Sequence, residues 1–409
     1  MSNYKKVRFL DRSSPPHIFT LILLASISAL SMNIFLPSLP NIASDLGSST
    51  NIMGLSVGIY LASSALLQLI IGPFSDQFGR RPLILWSLAI FCLSTLAAVF
   101  TSSAVEFLIL RVFQSVSASC LVLSRAIVKD TTESVEKASS KIAYVTMGMA
   151  IVPMVGPAIG GLLDYHYGWE ASFWTLCLLG LIIFIISFFD VGETLAYKSP
   201  GFIEQISGYP LLLRSKRFWA YCLSSACVAG AFFSYLGGAP FVGNEVFGLA
   251  PKDLGLLFGA PTIGYLIGNF LSGKYSTQIG SDTMIFLGVS IALVGVSISI
   301  IISFVGFGSV FSFFGFMTIV GLGNGMSLPN ATAAMMSINP RLAGTAAGLG
   351  GAIMIGGGAG LSSIANFILL PGSTEMPLLL LMWISVFLGL CSVLFAKYRN
   401  HKLKAEIIE

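Results

Sequence analysis

Arg111 is the residue whose type and position have the clearest chemical consequence in this sequence. It lies in a stretch, 105–128, that is long enough to cross a bilayer only if the arginine is accepted inside it. A guanidinium at that depth is costly, so we expect it to face a water-filled cavity or a partner. Gln114, Ser115 and Ala118 follow at helical spacings of three, four and seven residues, which predicts one polar stripe. We predict that this stripe forms a wall of a binding cavity.

Other polar side chains in apolar stretches are candidates for the same cavity. At about 1.5 Å per residue, Asn33 comes to the level of Arg111, and we expect the two to face each other. The alternative is a structural Arg111 that snorkels outward or pairs with Glu106. The remaining candidates, each of which would otherwise serve as an interhelical hydrogen bond, are Tyr60, Tyr235 and Asn330.

The hydrophobic interior of the predicted spans contains no Asp or Glu. Glu106, at the outer end of its stretch, is the candidate for a proton carrier. Because the charge of Arg111 is unopposed, the cavity should favour neutral, zwitterionic or anionic substrates over simple organic cations.

A second chemical feature is "GPFSDQFGRRPL", a charged loop between two apolar stretches of a chain that is 10% charged. Its glycines should permit a tight turn and close helix approach. Its basic side chains can reach an acid, Asp130, at the cytoplasmic end of the fourth predicted span. We predict a gating latch that holds the cytoplasmic side shut and breaks on reopening; a basic loop that serves topology alone is the alternative. The predicted latch consists of Gly72, Asp76, Gly79, Arg80, Arg81 and Asp130. Arg125 is interpreted as an interface anchor or as part of the latch.

The elements that must position these residues are membrane helices. The chain is 55% hydrophobic and has a mean hydropathy of +0.87, which is too apolar for a soluble domain. Charge-free stretches predict twelve spans, once 283–340 is divided near Phe304–Val310. The predicted fold is an all-α membrane protein.

The twelve spans divide into two halves at the least hydrophobic break. We predict a six-helix bundle over 1–190, a cytoplasmic connector over 191–217 and a second bundle over 218–409. "GPFSDQFG" (Gly72 to Gly79) matches "GKYSTQIG" (Gly273 to Gly280), which supports an internal repeat. Two pseudo-symmetric bundles produce a cavity between them that opens to either side by rocking, which is a transporter architecture.

Basic residues fix the predicted orientation, because nearly all of them fall on one side of the twelve spans. The positive-inside rule then puts both termini in the cytoplasm of a multi-pass inner-membrane protein. The net charge of +4 reflects this bias and is no argument for nucleic acid. The six cysteines lie in spans and the three histidines lie outside or at their ends, so we expect no metal or cofactor in the membrane.

Several motifs resemble those of the major facilitator superfamily: the charged loop, "RVFQSVSAS" in span four and "GMAIVPMVGPAIGGLL" in span five, a pattern associated with antiporters. More narrowly, "MNIFLPSLPNIA", "SRAIVKD" and "GETL" resemble the Bcr/CflA branch of drug:proton antiporters, the bicyclomycin-resistance type. The position of Asn33 is usually an Asp in that branch, and Asn does not titrate. The predicted hinge residues of span five are Pro153, Gly156, Pro157, Gly160 and Gly161.

This resemblance implies a monomeric secondary transporter that exports small amphipathic compounds, such as antibiotics, by alternating access coupled to protons. Its partners would be a small-molecule substrate, protons and membrane lipids. Two alternatives stay open: an uncoupled exporter of an anionic or neutral metabolite, favoured by Asn33 and Arg111, and a membrane sensor that transports nothing. An enzyme is the least expected class, because no nucleophile–base pair, metal-ligand spacing or phosphate-binding loop stands out.

Overall fold

The computed structural model describes residues 7–132, 141, 145, 149, 152–195, 209–339 and 343–408, and every regular element in these ranges is a helix. Eleven helical segments are long and apolar enough to cross a membrane, and we number them spans one to four and six to twelve. They are Ile18–Asp45, Thr50–Gly72, Arg80–Val99, Ala104–Val128, Glu170–Asp190, Lys216–Val246, Pro251–Ser276, Ser281–Phe307, Val310–Ser337, Ala346–Ile368 and Met376–Asn400.

Span five is the helix Val152–Tyr167. The sequence predicts this span over 142–163, and most residues before Val152 lie outside the described ranges. The predicted all-helical membrane fold is confirmed. The division into bundles at 190 and 217 stays a prediction, and we use "first half" for spans one to six and "second half" for spans seven to twelve.

Spans one and four are each interrupted by a 3₁₀ turn. Span one runs over Ile18–Asn33, a 3₁₀ turn at Leu36–Ser38 and Leu39–Asp45. Pro37 and Pro40 occupy the first positions of the later two pieces, where a missing N–H needs no partner. Span four consists of the helices Ala104–Gln114 and Ala118–Asp130 with the 3₁₀ turn Ser115–Ser117 between them.

The other described helices are Thr50–Phe78, Arg80–Val99, Glu170–Asp190, Tyr209–Leu213, Lys216–Phe241, Pro251–Leu257, Ala260–Ile279, Ser281–Ile302, Val310–Ser337, Ala343–Ile368 and Met376–Ile408, with π-helical turns at Val242–Val246 and Ser303–Phe307. Large apolar side chains such as Trp86, Leu93 and Phe270 remain exposed along the spans. Exposed apolar surface of this kind suits hydrocarbon and is unfavourable in water.

The two sides of the molecule are named here by their chain segments. The connector side holds the end of span six and the start of span seven, and the far side is opposite. The N-terminal segment lies on the connector side, where the Asp190 carboxylate accepts hydrogen bonds from the backbone N–H groups of Leu10 (2.7 Å) and His17 (2.9 Å). This carboxylate thereby ties the approach to span one to the end of span six.

The internal repeat predicted from the sequence is visible in the backbone. Gly79 follows the helix Thr50–Phe78 with φ 103° and ψ 155°, and Gly280 follows the helix Ala260–Ile279 with φ 81° and ψ 152°. Only glycine adopts such angles readily. Ser75 donates to the carbonyl of Gly72 at 2.7 Å, and the matching Ser276 donates to the carbonyl of Ser272 at 2.5 Å. The two loops therefore share the backbone conformation of the final glycine as well as one motif, while the two serine hydroxyls bond carbonyls three and four residues back.

The two halves meet on the far side through spans five and eight. Gly161 packs on the backbone of Pro251, and Gly255 packs on the carbonyl of Pro157, with no room for a Cβ atom at either glycine. The ammonium of Lys252 lies 5.5 Å from the ring centroid of Tyr165 across the same contact.

Spans two and eleven extend this contact. The Asn51 amide donates to the carbonyl of Leu369, and Gly54 is covered by the side chain of Asn366. We call the contacts of spans five with eight and two with eleven the far-side seam. The seam is closed in this structure.

Candidate functional site

Arg111 lies inside the first half, where four spans converge. Its side chain is fully buried. Nη1 donates to the carbonyl of Ser31 at 3.1 Å and to Oε1 of Gln114 at 2.6 Å. The guanidinium carbon lies 4.3 Å from the ring centroid of Phe35 and 4.6 Å from that of Tyr60. The charge is thus held by one carbonyl, one amide and two aromatic faces, all of them neutral.

This environment leaves much of the guanidinium's hydrogen-bonding capacity unused. Arginine has five N–H donors, and the Nε and Nη2 atoms of Arg111 have no hydrogen-bond partner. Cation–π contacts compensate part of the lost hydration, at about 2 kcal/mol each when desolvated. A buried cation with free donors favours an anionic or acceptor-bearing group beside it.

Two hydrogen-bonded chains connect this centre to neighbouring spans. Nε2 of Gln114 donates to Oγ1 of Thr95 in span three at 3.2 Å. The Tyr60 hydroxyl of span two lies 3.1 Å from Oγ of Ser28 in span one and 3.0 Å from Oγ of Ser117 in span four. Sequence reasoning missed Ser28, Ser117, Thr95, Ser31 and Phe35, and only the helical spacing of Ser28, Ser31 and Phe35 hinted at a shared face.

The predicted open cavity wall needs correction. Arg111, Gln114 and Ser115 are buried within packed helices, and the Ser115 hydroxyl donates to its own helix at the carbonyl of Val112. In this state the guanidinium finds aromatic and carbonyl partners instead of water, which accounts for its burial.

Asn33 is placed differently from the expectation. It does not face Arg111: its amide donates to the carbonyl of Ala29 at 2.6 Å, and its Cβ lies beside Gly156 of span five. Span one meets Arg111 through Ser31 instead, because residues two apart on a helix point in different directions. The Oδ1 atom of Asn33 is buried without a partner.

The two candidates in the second half lie in its packed interior. Tyr235 is buried among aromatic rings, with the centroid of Phe258 at 5.3 Å and that of Phe313 at 6.2 Å. Nδ2 of Asn330 donates to Oγ of Ser272 at 2.7 Å, which joins spans ten and eight. The structure brings neither residue together with Arg111, so the predicted single cavity is not assembled in this state.

Carboxyl groups lie at the ends of the spans. Glu106 is exposed and accepts a hydrogen bond from Oγ1 of Thr101 at 3.0 Å. Three other carboxyl side chains, Asp164, Asp190 and Glu375, are buried. Asp164 lies one turn beyond Gly161 of the far-side seam and accepts a hydrogen bond from Asn41 at 2.9 Å. Sequence reasoning missed it because it follows the apolar stretch directly.

The charged loop forms a compact cluster on the connector side. Nε of Arg80 lies 2.9 Å from Oδ2 of Asp130. Arg81 donates from Nε to the carbonyl of Val191 at 2.9 Å and stacks on the ring of Phe188 at 5.2 Å. The start of span three is therefore anchored to the ends of spans four and six.

Glu193 completes this cluster. Its carboxylate accepts hydrogen bonds from the backbone N–H groups of Arg80 at 3.0 Å and Arg81 at 3.3 Å. A carboxylate at a helix N-terminus satisfies free N–H groups and complements the helix dipole. Glu193 belongs to the "GETL" motif quoted above, so the sequence marked the residue. That it would cap the start of span three could not be predicted from the motif.

The latch prediction is corrected at two points. The Arg80–Asp130 ion pair forms as the sequence predicts, but it joins two spans of the first half and bridges no contact between the halves; its breaking on reopening stays a prediction. A Cβ atom added at Gly72 would have nothing within 4 Å, so no neighbouring helix approaches closely at this glycine. The Asp76 side chain, a member of the predicted latch, lies outside the described residues.

The span five motif supplies small residues to two contacts. Gly156 and Gly160 pack on span one at Leu30 and Ile34, while Gly161 and Pro157 face span eight. The side chain of Pro153 lies outside the described residues. Span five is thus held between span one and the second half, and both contacts are close because glycine has no side chain.

Comparison with known proteins identifies the family. Residues 21–363 match the Major Facilitator Superfamily. The chain is 31% identical to an uncharacterized MFS-type transporter, YdgK, of Bacillus subtilis over 68% of this chain and 71% of that protein. It is 27% identical to a bicyclomycin resistance protein homolog of Haemophilus influenzae, covering 94% and 97% of the two chains. It is 30% identical to a chloramphenicol resistance protein of Pseudomonas aeruginosa, covering 90% and 88%.

The fold agrees with this result. A bacterial homolog of the human lysosomal transporter Spinster, in an inward-facing and occupied conformation, matches with a TM-score of 0.72 at 17% identity, over 94% of this chain and 96% of that one. The chain belongs to the Major Facilitator Superfamily, and its relatives confirm the Bcr/CflA branch that its motifs predict.

Proposed function

We propose that this protein exports small amphipathic compounds, antibiotics among them, across the inner membrane. The names of the relatives support this assignment: bicyclomycin resistance protein homolog, chloramphenicol resistance protein and multidrug resistance protein D. The protein is proposed to act as a monomer in lipid, with both termini and the connector side in the cytoplasm, because its basic residues concentrate there.

The observation that carries the proposal is the asymmetric contact between the halves. On the far side, the backbones of spans five and eight touch at Gly161 and Gly255. On the connector side, Arg125 of span four keeps an accessible side chain although protein atoms surround it densely, and Tyr265 of span eight in the other half lies within electrostatic range of its guanidinium. A charged side chain that is exposed and faces the opposite half marks a crevice. We take this as the cytoplasm-open state of an alternating-access cycle.

We also propose that protons drive export. Asn33 cannot carry a proton, so the carrier lies elsewhere. Glu106, the candidate from sequence, is exposed on the far side, whereas Asp164 is buried beside the seam. Opening the seam changes the surroundings of Asp164, which is the condition for coupling proton binding to conformation.

The test is drug uptake into proteoliposomes that have an acidic lumen. We expect uptake of chloramphenicol and bicyclomycin that an uncoupler abolishes. A matched control is the variant carrying Gly54→Cys and Asn366→Cys, whose two positions touch across the seam. Oxidation should lock the far side and stop uptake, reduction should restore it, and each single variant should ignore the oxidant.

Absence of uptake for both drugs contradicts the export proposal. Uptake that persists unchanged with the uncoupler favours the second candidate, an uncoupled exporter. The observation behind that candidate is Arg111, which is held by neutral groups alone and lies near no interior carboxylate among the described residues.

A further inference from the structure

Residues 7–16 form an ordered loop on the connector side, directly before span one. Oγ of the buried Ser14 accepts a hydrogen bond from the backbone N–H of Arg8 at 3.1 Å and lies 3.1 Å from its carbonyl oxygen. The carboxylate at the end of span six holds two further N–H groups, as described above. Gly192 packs on the carbonyl of Arg12 with no room for a Cβ atom. The loop therefore has a defined shape and is fixed to the end of span six.

One residue of this loop has an unfavourable backbone conformation. Leu10 has φ 60°, and it is the one residue other than glycine with a positive φ in the described part of the chain. Glycine adopts such angles readily, whereas a leucine is strained by them. The Leu10 side chain is 48% exposed, so packing inside the protein does not account for a leucine at this position. The strained leucine therefore points to a contact outside the folded chain.

The loop presents apolar and basic side chains together. Val7, Phe9 and Leu10 are exposed by between 43% and 48%, although they precede the first membrane span. Arg8 and Arg12 are exposed beside them and form no ion pair within the ranges that the structure describes. Exposed apolar side chains that lie together outside a span mark an interaction surface. We call these five residues the N-terminal patch.

The surroundings of the N-terminal patch place it at the edge of the bilayer. The ring centroid of Phe9 lies 6.3 Å from that of Phe19 in the first turn of span one, and Phe19 is itself exposed. At the end of span six, Phe188 and Phe189 are also exposed, and they directly precede Asp190, which holds the loop. The patch is thus continuous with the exposed apolar surface of two spans, at the level where hydrocarbon gives way to headgroups.

We propose that the N-terminal patch docks on anionic phospholipid headgroups of the adjoining leaflet. Its apolar side chains would enter the boundary of the acyl chains while Arg8 and Arg12 meet lipid phosphates. The charge is complementary, because the first 17 residues contain four lysines and arginines against one acidic residue, Asp11. Gly192 of the contact with the loop directly precedes Glu193, which caps span three. Docking therefore restrains the ends of spans one, three and six together.

The first test measures retention of phosphatidylglycerol by the purified full chain in detergent, using native mass spectrometry with phosphatidylcholine as the comparison lipid. We expect the unchanged protein to retain more phosphatidylglycerol than phosphatidylcholine. The combined Arg8→Gln and Arg12→Gln variant should bind phosphatidylglycerol at least about tenfold more weakly. The matched control combines Arg214→Gln and Lys274→Gln, which removes two exposed charges elsewhere on the connector side and should retain the lipid. Equal retention by the two double variants overturns the site.

The second test uses Leu10→Gly to separate lipid contact from folding. Glycine adopts φ 60° without strain, so the loop should keep its position and the variant should unfold in lipid-free detergent at about the same temperature as the unchanged protein. Phosphatidylglycerol should raise the unfolding temperature of the unchanged protein, because a ligand of the folded state stabilises it. We expect Leu10→Gly to gain less than half as much. An equal gain overturns the contact of the leucine with lipid.

The third test locates the contact by proteolysis in nanodiscs. Chymotrypsin cleaves after Phe9 and Leu10, and the fragment mass identifies the cut. Phosphatidylglycerol should slow this cleavage relative to phosphatidylcholine, and the combined Arg8→Gln and Arg12→Gln variant should lose the protection. Protection by inorganic phosphate in phosphatidylcholine nanodiscs would assign the patch to soluble phosphate and overturn the docking on lipid. Equally fast cleavage with both lipids would also overturn it and favour a protein partner for the patch.

None of these measurements uses a drug or a proton gradient, so their outcome is independent of the proposed function. A protein that retains phosphatidylglycerol at the N-terminal patch but exports no chloramphenicol would refute the proposed function and leave the docking surface standing. A protein that exports chloramphenicol but fails the first test would do the reverse.

Discussion

The Arg111 side chain shows how a membrane interior accommodates a charge without a counter-charge. Two aromatic faces, a carbonyl and an amide surround it, and two of its nitrogens remain free. Replacing a buried, incompletely paired charge by an apolar side chain is often neutral or stabilising. That Arg111 serves substrate binding stays a prediction from the sequence, and the weak case for a stabilising role makes it worth testing.

This argument predicts opposite effects of Arg111→Met on stability and transport. We expect an unfolding temperature in detergent equal to or above that of the unchanged protein, because the variant buries no charge. Drug uptake should fall at least about tenfold, since one lost charge-assisted interaction is worth about 1.5–3 kcal/mol. Thermal unfolding followed by tryptophan fluorescence, and uptake into proteoliposomes, measure the two effects. Full uptake in Arg111→Met would contradict the role in binding, and Arg111→Lys should retain part of it.

At the scale of elements, the turn between spans two and three depends on one glycine and one carboxylate. Gly79 has φ 103°, and its position leaves no room for a Cβ beside the Glu193 carboxylate. That carboxylate in turn caps span three. A side chain at position 79 would therefore have two effects. It would strain the backbone, and it would displace the Glu193 carboxylate that caps span three.

Gly79→Ala should therefore lower the free energy of unfolding by about 1–3 kcal/mol, the cost of holding a non-glycine residue in this backbone region. Gly72→Ala is the matched control, because it lies seven residues earlier, within the helix Thr50–Phe78, with nothing within 4 Å of an added Cβ. We expect the control to leave the free energy of unfolding unchanged or to raise it by up to about 1 kcal/mol, because alanine is the better helix former. Denaturant titration in detergent compares the two variants. Equal stability of Gly79→Ala and Gly72→Ala would disprove the account of the turn.

At the scale of the whole molecule, we expect the far-side seam to set the balance between the two states of the proposed alternating-access cycle. Where spans five and eight meet, its contacts are backbone against backbone at glycines, which leaves little tolerance for added volume. Small residues of this kind allow tight helix contacts in membranes, where no hydrophobic force drives helices together. A larger side chain in the seam should act as a wedge.

Gly161→Leu should shift the population toward the state that is open on the far side. Overpacking costs about 1–3 kcal/mol, which corresponds to a shift of about fivefold or more between two states. A cysteine at the buried Asn366 reports the change through its rate of labelling by a membrane-impermeant thiol reagent. The matched control is Gly360→Leu in span eleven, where an added Cβ meets nothing within 4 Å. Labelling that is equally slow in both variants would argue against the seam as the gate.

The sequence by itself determined the spans, their all-helical character and the repeat of the charged loop, because hydropathy and glycine patterns are local properties of the chain. It also singled out Arg111, since a lone arginine in an apolar stretch is visible without any structure. Which residues meet Arg111 was decided by tertiary structure. Asn33 was expected and Ser31 is found, because helical periodicity indicates a face but not the rotation of one span against the next.

The same limit applies to the acidic groups. Glu106 stood out by its position and proved exposed, while Asp164 looked like a loop residue and proved buried. Glu193 accepts a hydrogen bond from the backbone N–H of Arg81, which lies 112 residues away in the sequence. Burial and capping across such distances depend on how the spans pack, and no local pattern in the chain encodes that arrangement.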